Sequence, residues 1–353
     1  MKILSKLLLL LIIITICSCN NNSESKSEKK YNAYAQFFRL GSDRLTIYNP
    51  SGLDSIIFKR SSDPYSKIAI QSTTQLSFLE ALNQLDRICA VPYANYLCQQ
   101  QVISGLEQGR IREILSGDAM NIEFMIIDTI PLMLLGDFAD YKRPKIKQLR
   151  AFNIETVPIL DWKETHPLAR AEWIKVLGWL VGKDQLANQI FDSIEQRYNT
   201  LCDSIAIEIK DKARPKVFAG LSQKDNWYLP GGKSYLAQLI KDAGGDYLFK
   251  KNNDIASFQA SFETVFLQLE EASVWIASVN TKSLYEFISL DKRVEKMSIV
   301  KQGNIFGNGK RLCAQGGNEY WSDGVIRPDQ ILQDLYLIFF EDYHNAYFYH
   351  KLK

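Results

Sequence analysis

Between Gly182 and Pro215 the sequence carries the pattern that most restricts its fold. From Asp184 to Asp211, Ala187, Ile190, Phe191, Ile194, Tyr198, Leu201 and Ile205 recur mostly three or four positions apart. That spacing lays one apolar stripe along an α-helix. A helix over this span is roughly 40 Å long at 1.5 Å per residue. A rod of that length overruns a single compact lobe, so it reads as a spine between two bodies. Ala213-Arg214-Pro215 ends it, because proline cannot continue a helix.

Both flanks alternate between short apolar strands and helices. On the amino side, Ile68-Ala69-Ile70 reads as a strand that ends in Ser72-Thr73-Thr74. Thr73 or Thr74 then caps a helix bearing Leu76, Phe78, Leu79, Leu82 and Leu85. Strands are predicted near Ile88–Pro92, Met125–Asp128 and Val157–Leu160, with a helix over Lys145–Phe152. A further helix, His166–Val181, stops at Gly182. On the carboxyl side, Lys216-Val217-Phe218 opens a second α/β series, and a closing helix spans Pro328 to Phe340. Tyr34–Lys59 predicts two or three exposed strands added at an edge, around turns at Gly41-Ser42-Asp43 and Asn49-Pro50. The expected fold class is α/β: two α/β lobes joined by a single long backbone helix, with a ligand cleft between them. The expected divisions are 1–18 and 19–33 for leader and tether, 34–66 for the strand extension, 67–183 for the first lobe, 184–213 for the helix and 214–353 for the second lobe.

Met1–Ser18 pairs Lys2 and Lys6 with an unbroken apolar run from Leu7 to Ile14, a secretory leader too short to span a membrane. It ends in Ile16-Cys17-Ser18-Cys19, which resembles a bacterial lipobox and implies acylation of Cys19. Several acyl chains on one residue would hold the protein firmly to a membrane surface. The polar NNNSESKSEKK that follows is too hydrophilic to fold and reads as a tether. The whole chain has 42 basic and 40 acidic residues. Two of the lysines leave with the leader, so the mature chain is neutral and has no global attraction to nucleic acid. The cysteines fit no zinc spacing; a Cys89–Cys98 disulfide is open to a chain outside the cytoplasm, although spacing does not fix a pairing.

Two glycine-rich stretches draw attention as binding loops. In WYLPGGKSYLAQL, Gly232-Lys233-Ser234 imitates the end of a phosphate-binding loop, but Trp227 stands where that motif needs a glycine. The loop instead offers Trp227, Tyr228 and Lys233 beside a helix N-terminus, a setting for an aromatic wall and an anionic group. In GGNEYWSDGVIRP, Tyr320 and Trp321 are adjacent, one expected inward and one outward, with Arg311 and Arg327 nearby. Tyr93, Tyr96 and Trp162 follow first-lobe strand ends, where open α/β sheets bind ligands; Thr73 and Thr74 share that position. Only three histidines occur, and no serine-hydrolase, zinc-protease or paired-cysteine motif does, which weighs against an envelope hydrolase and against a free-metal site.

AEWIKVLGWLVGKDQLANQIFDSIEQRYNTL, WYLPGGKSYLAQLIKDAGGDYLF and GGNEYWSDGVIRPDQILQDL together resemble the helical-backbone class of periplasmic substrate-binding proteins. That family serves ABC importers for iron–siderophore complexes, haem and cobalamin, and the similarity runs roughly from Lys67 to Phe340. It implies a cleft that takes a metal chelate, with no cofactor and no chemistry, and a permease as partner. Tyr93, Tyr96, Trp162, Trp227, Tyr228, Tyr320 and Trp321 would be the candidate walls, with Lys233, Arg311 and Arg327 answering an anionic cargo. Family members present one acid per lobe to the permease; the nearest here are Glu113, and Glu319 or Asp323. The segment IREILSGDAMNIEFMIIDT departs from the family pattern, with Asn121-Ile122-Glu123 where Pro-Asp is usual.

Overall fold

The computed structural model describes residues 32–116, 119–223 and 226–353. The leader, Cys19 and residues 19–31 of the tether lie outside them. The spine is the helix Asp184–Glu208, 25 residues long. Of the residues its spacing singles out, it buries Ala187, Phe191, Ile194, Tyr198 and Ile205, while Ile190 and Leu201 are half-buried at the edge of the stripe. Gly182 adopts the left-handed conformation (φ 71°) that ends the preceding helix, Ile174–Val181. Gly178 lets that helix press against the spine: a Cβ there would lie 2.5 Å from the Ala187 Cβ.

The first lobe is built on a parallel sheet ordered Glu155–Pro158, Leu132–Leu135, Ile68–Ile70, Ile88–Val91, Arg112–Glu113. Ile68–Ile70 and Leu132–Leu135 are buried throughout, as strands covered on both faces must be. Two sequence expectations change here. The strand expected at Met125–Asp128 is a helix, Glu123–Ile127, and the strand is Leu132–Leu135. Both are short apolar runs, which periodicity cannot tell apart. The single helix expected over His166–Val181 is two, Pro167–Glu172 and Ile174–Val181, meeting at Trp173.

The second lobe repeats the plan in the order Asp246–Tyr247, Lys216–Ala219, Val274–Ala277, Ile305–Gly307, with His350–Lys351 antiparallel at the edge. A small antiparallel sheet, Leu221–Gln223, Asn226–Pro230 and Ser257–Ala260, sits beside it. The closing helix, Pro328–Phe340, has the predicted limits. The spine is tied to this lobe by Tyr198, which donates to Asp242 (2.8 Å), and by the Arg197–Asp329 pair (2.7 Å). The lobes also meet directly, where Arg170, paired with Asp161 at 2.9 Å, lies 4.1 Å from the Tyr235 ring.

The amino-terminal strands are not an exposed addition. Phe38–Leu40, Arg44–Tyr48 and Ser55–Lys59 form an antiparallel sheet whose Phe38, Leu45, Ile47 and Phe58 enter the core. Phe38 meets Trp173 edge to face at 4.9 Å. Two buried carboxylates fasten the chain just before this sheet. Glu172 accepts the amides of Ala33, Tyr34 and Ala35 (2.6–2.8 Å), and Glu164 accepts those of Gln36 and Phe37 together with the Trp173 indole (3.0–3.3 Å). Burial pushes the Glu164 carboxyl up to about 7, against the pull of these donors.

Candidate functional site

At the carboxyl ends of the Ile68–Ile70 and Ile88–Val91 strands the first lobe presents Gln71, Ser72 and Thr73, then Pro92, Tyr93 and Tyr96. From the second lobe come Asn280, Gly316, Asn318 and Trp321, and the two sets enclose a cavity of about 400 Å³. None of the lining residues is charged. Tyr93, Tyr96 and Trp321 keep 37%, 53% and 41% of their surface open, so three neighbouring rings are left uncovered at one cavity. Tyr93 and Tyr96 brace each other edge to face, 5.7 Å apart.

Amides hold the cavity's polar floor in place. Buried Gln75 donates to the Leu135 carbonyl at 3.0 Å and accepts the amide of Gln71 at 3.3 Å. Gln71 in turn accepts the amide of Gly136 at 2.8 Å, so neighbouring strand ends are laced together. Across the cleft, Asn318 donates to Asn280 at 2.9 Å and caps the short helix Glu319–Ser322 by accepting the Tyr320 amide at 2.9 Å. Sequence reasoning missed Gln71, Ser72, Asn280 and Asn318. Their signal was position alone: each follows a strand or glycine turn at the cleft end of its lobe.

The sequence-named candidates divide. Thr73, Tyr93, Tyr96 and Trp321 line the cavity. Thr74 does not; its hydroxyl is 2.8 Å from that of Ser72, and neither threonine makes a side-chain cap. Trp162 stands at the end of a neighbouring strand, 40% exposed, with its indole donating to the Gly136 carbonyl at 2.9 Å. Tyr320 turns inward against Trp321, Tyr349 and Phe348, while Trp321 turns out.

Trp227 is a correction. It is 1% exposed and packs among Phe218, Trp275 and Phe262 in the second lobe's core. The segment is a strand, Asn226–Pro230, so alternate residues face opposite ways: Trp227 and Leu229 go in, and Tyr228 goes out, where it accepts from Gln259 at 3.2 Å. Gly231 and Gly232 also serve the lobe itself. A Cβ on Gly231 would lie 2.1 Å from the Asp254 carbonyl oxygen, and one on Gly232 would lie 2.4 Å from that of Asn252.

The expected cations are not in the cavity. Arg311 is paired with Glu319 and lies 4.2 Å from the Tyr347 ring, and that pairing raises its pKa. Arg327 lies 4.4 Å from the same Tyr347 ring and donates to Gln330 at 3.4 Å. Lys233 opens into a separate lateral groove of about 860 Å³ with Gln36, His166, Arg214 and Lys241. The groove and the cleft cavity share no lining residue. Among the acids, Glu113 is exposed on the first lobe and accepts the Ala94 amide at 3.1 Å, Glu319 is engaged by Arg311, and Asp323 is half-buried. Burial raises the Asp323 carboxyl, helped by Glu80 and Glu319. Among the described residues no cluster of three or more His, Cys, Asp or Glu is placed to hold a metal, and no helix is long and apolar enough to cross a membrane.

The Cys89–Cys98 pairing is also replaced. Cys98 is bonded to Cys313, and Cys89 is free, its thiol pushed up to about 12 by burial.

The family model described as periplasmic binding protein matches residues 68–312. The chain belongs to the periplasmic binding protein family. A curated relative, an uncharacterized lipoprotein of Methanocaldococcus jannaschii, is 25% identical over 290 residues, 79% of this chain. The match spans 66% of that relative's length. The fold also matches solved binding proteins. A periplasmic heme binding protein from Pseudomonas aeruginosa aligns with TM-score 0.61 at 14% identity, over 82% of this chain and 98% of that one. A possible iron-binding, periplasmic solute-binding protein from Staphylococcus epidermidis gives 0.59 at 17% identity, over 78% and 99%. A periplasmic vitamin B12 binding protein of Vibrio cholerae gives 0.55 at 14%, over 78% and 96%. At these identities the likeness is one of fold.

Proposed function

We propose that this periplasmic binding protein is the substrate-binding lipoprotein of an ABC importer. Anchored through Cys19 on the periplasmic side of the membrane, it captures an iron–siderophore complex and passes it to the permease. Capture and docking need no bond chemistry. The observation that carries the reading is the uncharged, aromatic lining of the interlobe cavity. Amides, hydroxyls and ring faces suit a cargo whose charge is already cancelled, because burying a net charge without a partner is costly. A ferric trihydroxamate meets that condition, since three hydroxamate anions neutralise Fe³⁺. A ferric tris-catecholate keeps surplus negative charge that Arg311, Arg327 and Lys233 are not placed to meet. The three open rings also favour a corrinoid as a second reading, and Tyr93 is a cavity tyrosine that would serve as axial ligand to a haem iron. For docking, Glu113 and Asp323 are the acids to offer the permease, one on each lobe.

The test is a thermal-shift and tryptophan-quenching panel on the full mature chain. It contains a ferric trihydroxamate, a ferric tris-catecholate, cyanocobalamin and haem. Cargo at a hundred times its Kd adds about 2.7 kcal/mol of apparent stability, a readily visible shift. The trihydroxamate is expected to give the largest shift. Binding of cyanocobalamin or haem alone selects the second reading, preference for the tris-catecholate refutes the neutral-cargo argument, and silence across the panel removes the receptor reading.

A further inference from the structure

The Cys98–Cys313 bond joins residues 215 apart in sequence. Cys98 belongs to the first lobe, between the Tyr93–Tyr96 turn and the helix Gln100–Glu107. Cys313 belongs to the second lobe, beyond the strand Ile305–Gly307. The bond therefore links the lobes a second time, far along the chain from the spine.

Its surroundings are built for close contact. Cys313 donates its amide to the Gly317 carbonyl (2.8 Å) and accepts the amide of Gly316 (2.9 Å), a tight turn closed below by the Leu312–Asn318 bridge. The turn's glycines lie directly on the other lobe. A Cβ on Gly317 would stand 2.5 Å from the Tyr96 carbonyl oxygen and 2.9 Å from the Cys98 sulfur, and one on Gly316 would stand 3.3 Å from the Asn95 carbonyl oxygen. Tyr96, Gly316 and Asn318 also line the cleft cavity, so the joint is one of its walls.

We propose that Cys98–Cys313 is a covalent seam that fixes the separation of the lobes and with it the aperture of the cavity. Lobes joined only through a helix can open and close about that hinge as cargo comes and goes. A second fixed point at the cleft rim leaves rotation only about the line through both, so opening of this wall is suppressed. Cargo then meets a preformed cavity and enters from the unsealed side, with selection set by an aperture that does not adapt. This inference stands apart from the identity of the cargo, and its test uses none.

The full mature chain is compared with the variant carrying both Cys98→Ser and Cys313→Ser, by amide hydrogen exchange followed through the 93–98 and 312–318 segments. Exchange in both segments should accelerate at least about tenfold in the variant, while the Ile68–Ile70 and Val274–Ala277 strands keep their protection. Equal protection in the two proteins overturns the proposal, because the glycine packing would then hold the wall without the bond. Should the variant lose protection everywhere, the unmutated chain is measured with and without a phosphine reductant, which with one water opens the disulfide to two thiols, the water supplying both thiol protons and the oxygen of the phosphine oxide formed. Loss confined to the two segments supports the seam, and no change on confirmed reduction refutes it. Non-reducing peptide mapping provides a direct check: a mature protein with no 98–313 linked peptide also refutes it.

Discussion

Gly231-Gly232 and Gly316-Gly317 look alike in the sequence, each a glycine pair beside two adjacent aromatic residues, yet they do opposite work. The first pair presses on Asp254 and Asn252 of its own lobe, and its tryptophan is core. The second presses on Asn95 and Tyr96 of the other lobe, and its tryptophan faces the cleft. A glycine pair reports that two backbones come close, but not whose backbones they are. That distinction decides which loop holds its own lobe together and which one lines the cleft.

The sharpest way to break the comparison is to truncate both tryptophans. Trp227→Ala empties a site enclosed by three aromatic rings and should cost about 3–5 kcal/mol of stability, read as a fall in Cm at unchanged m. Cargo affinity of the folded fraction should stay the same. A variant as stable as the parent would return Trp227 to the list of cleft residues.

The next effect concerns the side of the molecule facing the first loop. Gln36 and His166 line the groove opposite Lys233, and the Gln36 amide is held by Glu164. The Glu164 carboxyl is raised from 4.5 to about 7 in the fold. Between those values this carboxyl holds more of its proton in the folded state than in the unfolded one, so the stability it contributes is fully present below pH 4.5 and declines as pH rises to 7. The decline attributable to this group is at most roughly 3 kcal/mol, at 1.36 kcal/mol per unit. Denaturation series at pH 5 and pH 7.5 should show it, and Glu164→Gln should flatten it. A slope unchanged in Glu164→Gln assigns the pH dependence to another group. Cargo binding should not follow this profile, because the cleft cavity has no titrating carboxylate in its lining.

How much of this was legible in the sequence depends on the range of the interaction. The spine and the closing helix follow from local spacing, and both appear where Ala187 to Ile205 and Ile331 to Ile338 put them. Asn226–Pro230 was misread as a loop wall: the segment is a strand in which Trp227 and Leu229 share a face that Tyr228 does not, and the glycine pair after it drew attention away from that alternation. The cleft was partly readable, since Thr73, Tyr93 and Tyr96 sit at strand ends. Its charge was not. Whether Arg311 faces cargo or Glu319 depends on a loop closing on itself between residues eight positions apart, and the partner of Cys98 lies in the other lobe. Met125–Asp128 failed for a different reason: three apolar residues before an aspartate are too few to have a period to measure.

Trp321→Ala sharpens the comparison from the cleft side. The ring is 41% exposed in the absence of cargo, so its removal should cost less than about 1 kcal/mol of stability. Affinity for the best ligand of the panel should drop about tenfold, which corresponds to 1.4 kcal/mol. Titration by quenching of the remaining tryptophans measures it, and undiminished affinity would show that the cargo rests on Tyr93 and Tyr96 alone.

The smallest effect expected is the most discriminating. Lys233 is exposed, makes no ion pair among the described residues and lines the lateral groove, away from the aromatic cavity. Lys233→Ala should therefore change stability by no more than about 0.5 kcal/mol, as surface substitutions usually do. If the cleft takes a neutral chelate, the Kd of a ferric trihydroxamate should also be unaffected, at low and high salt alike. A tenfold loss that vanishes in high salt would mean that cargo reaches the groove and is held there by charge. The first glycine loop would then share the binding role assigned here to the second.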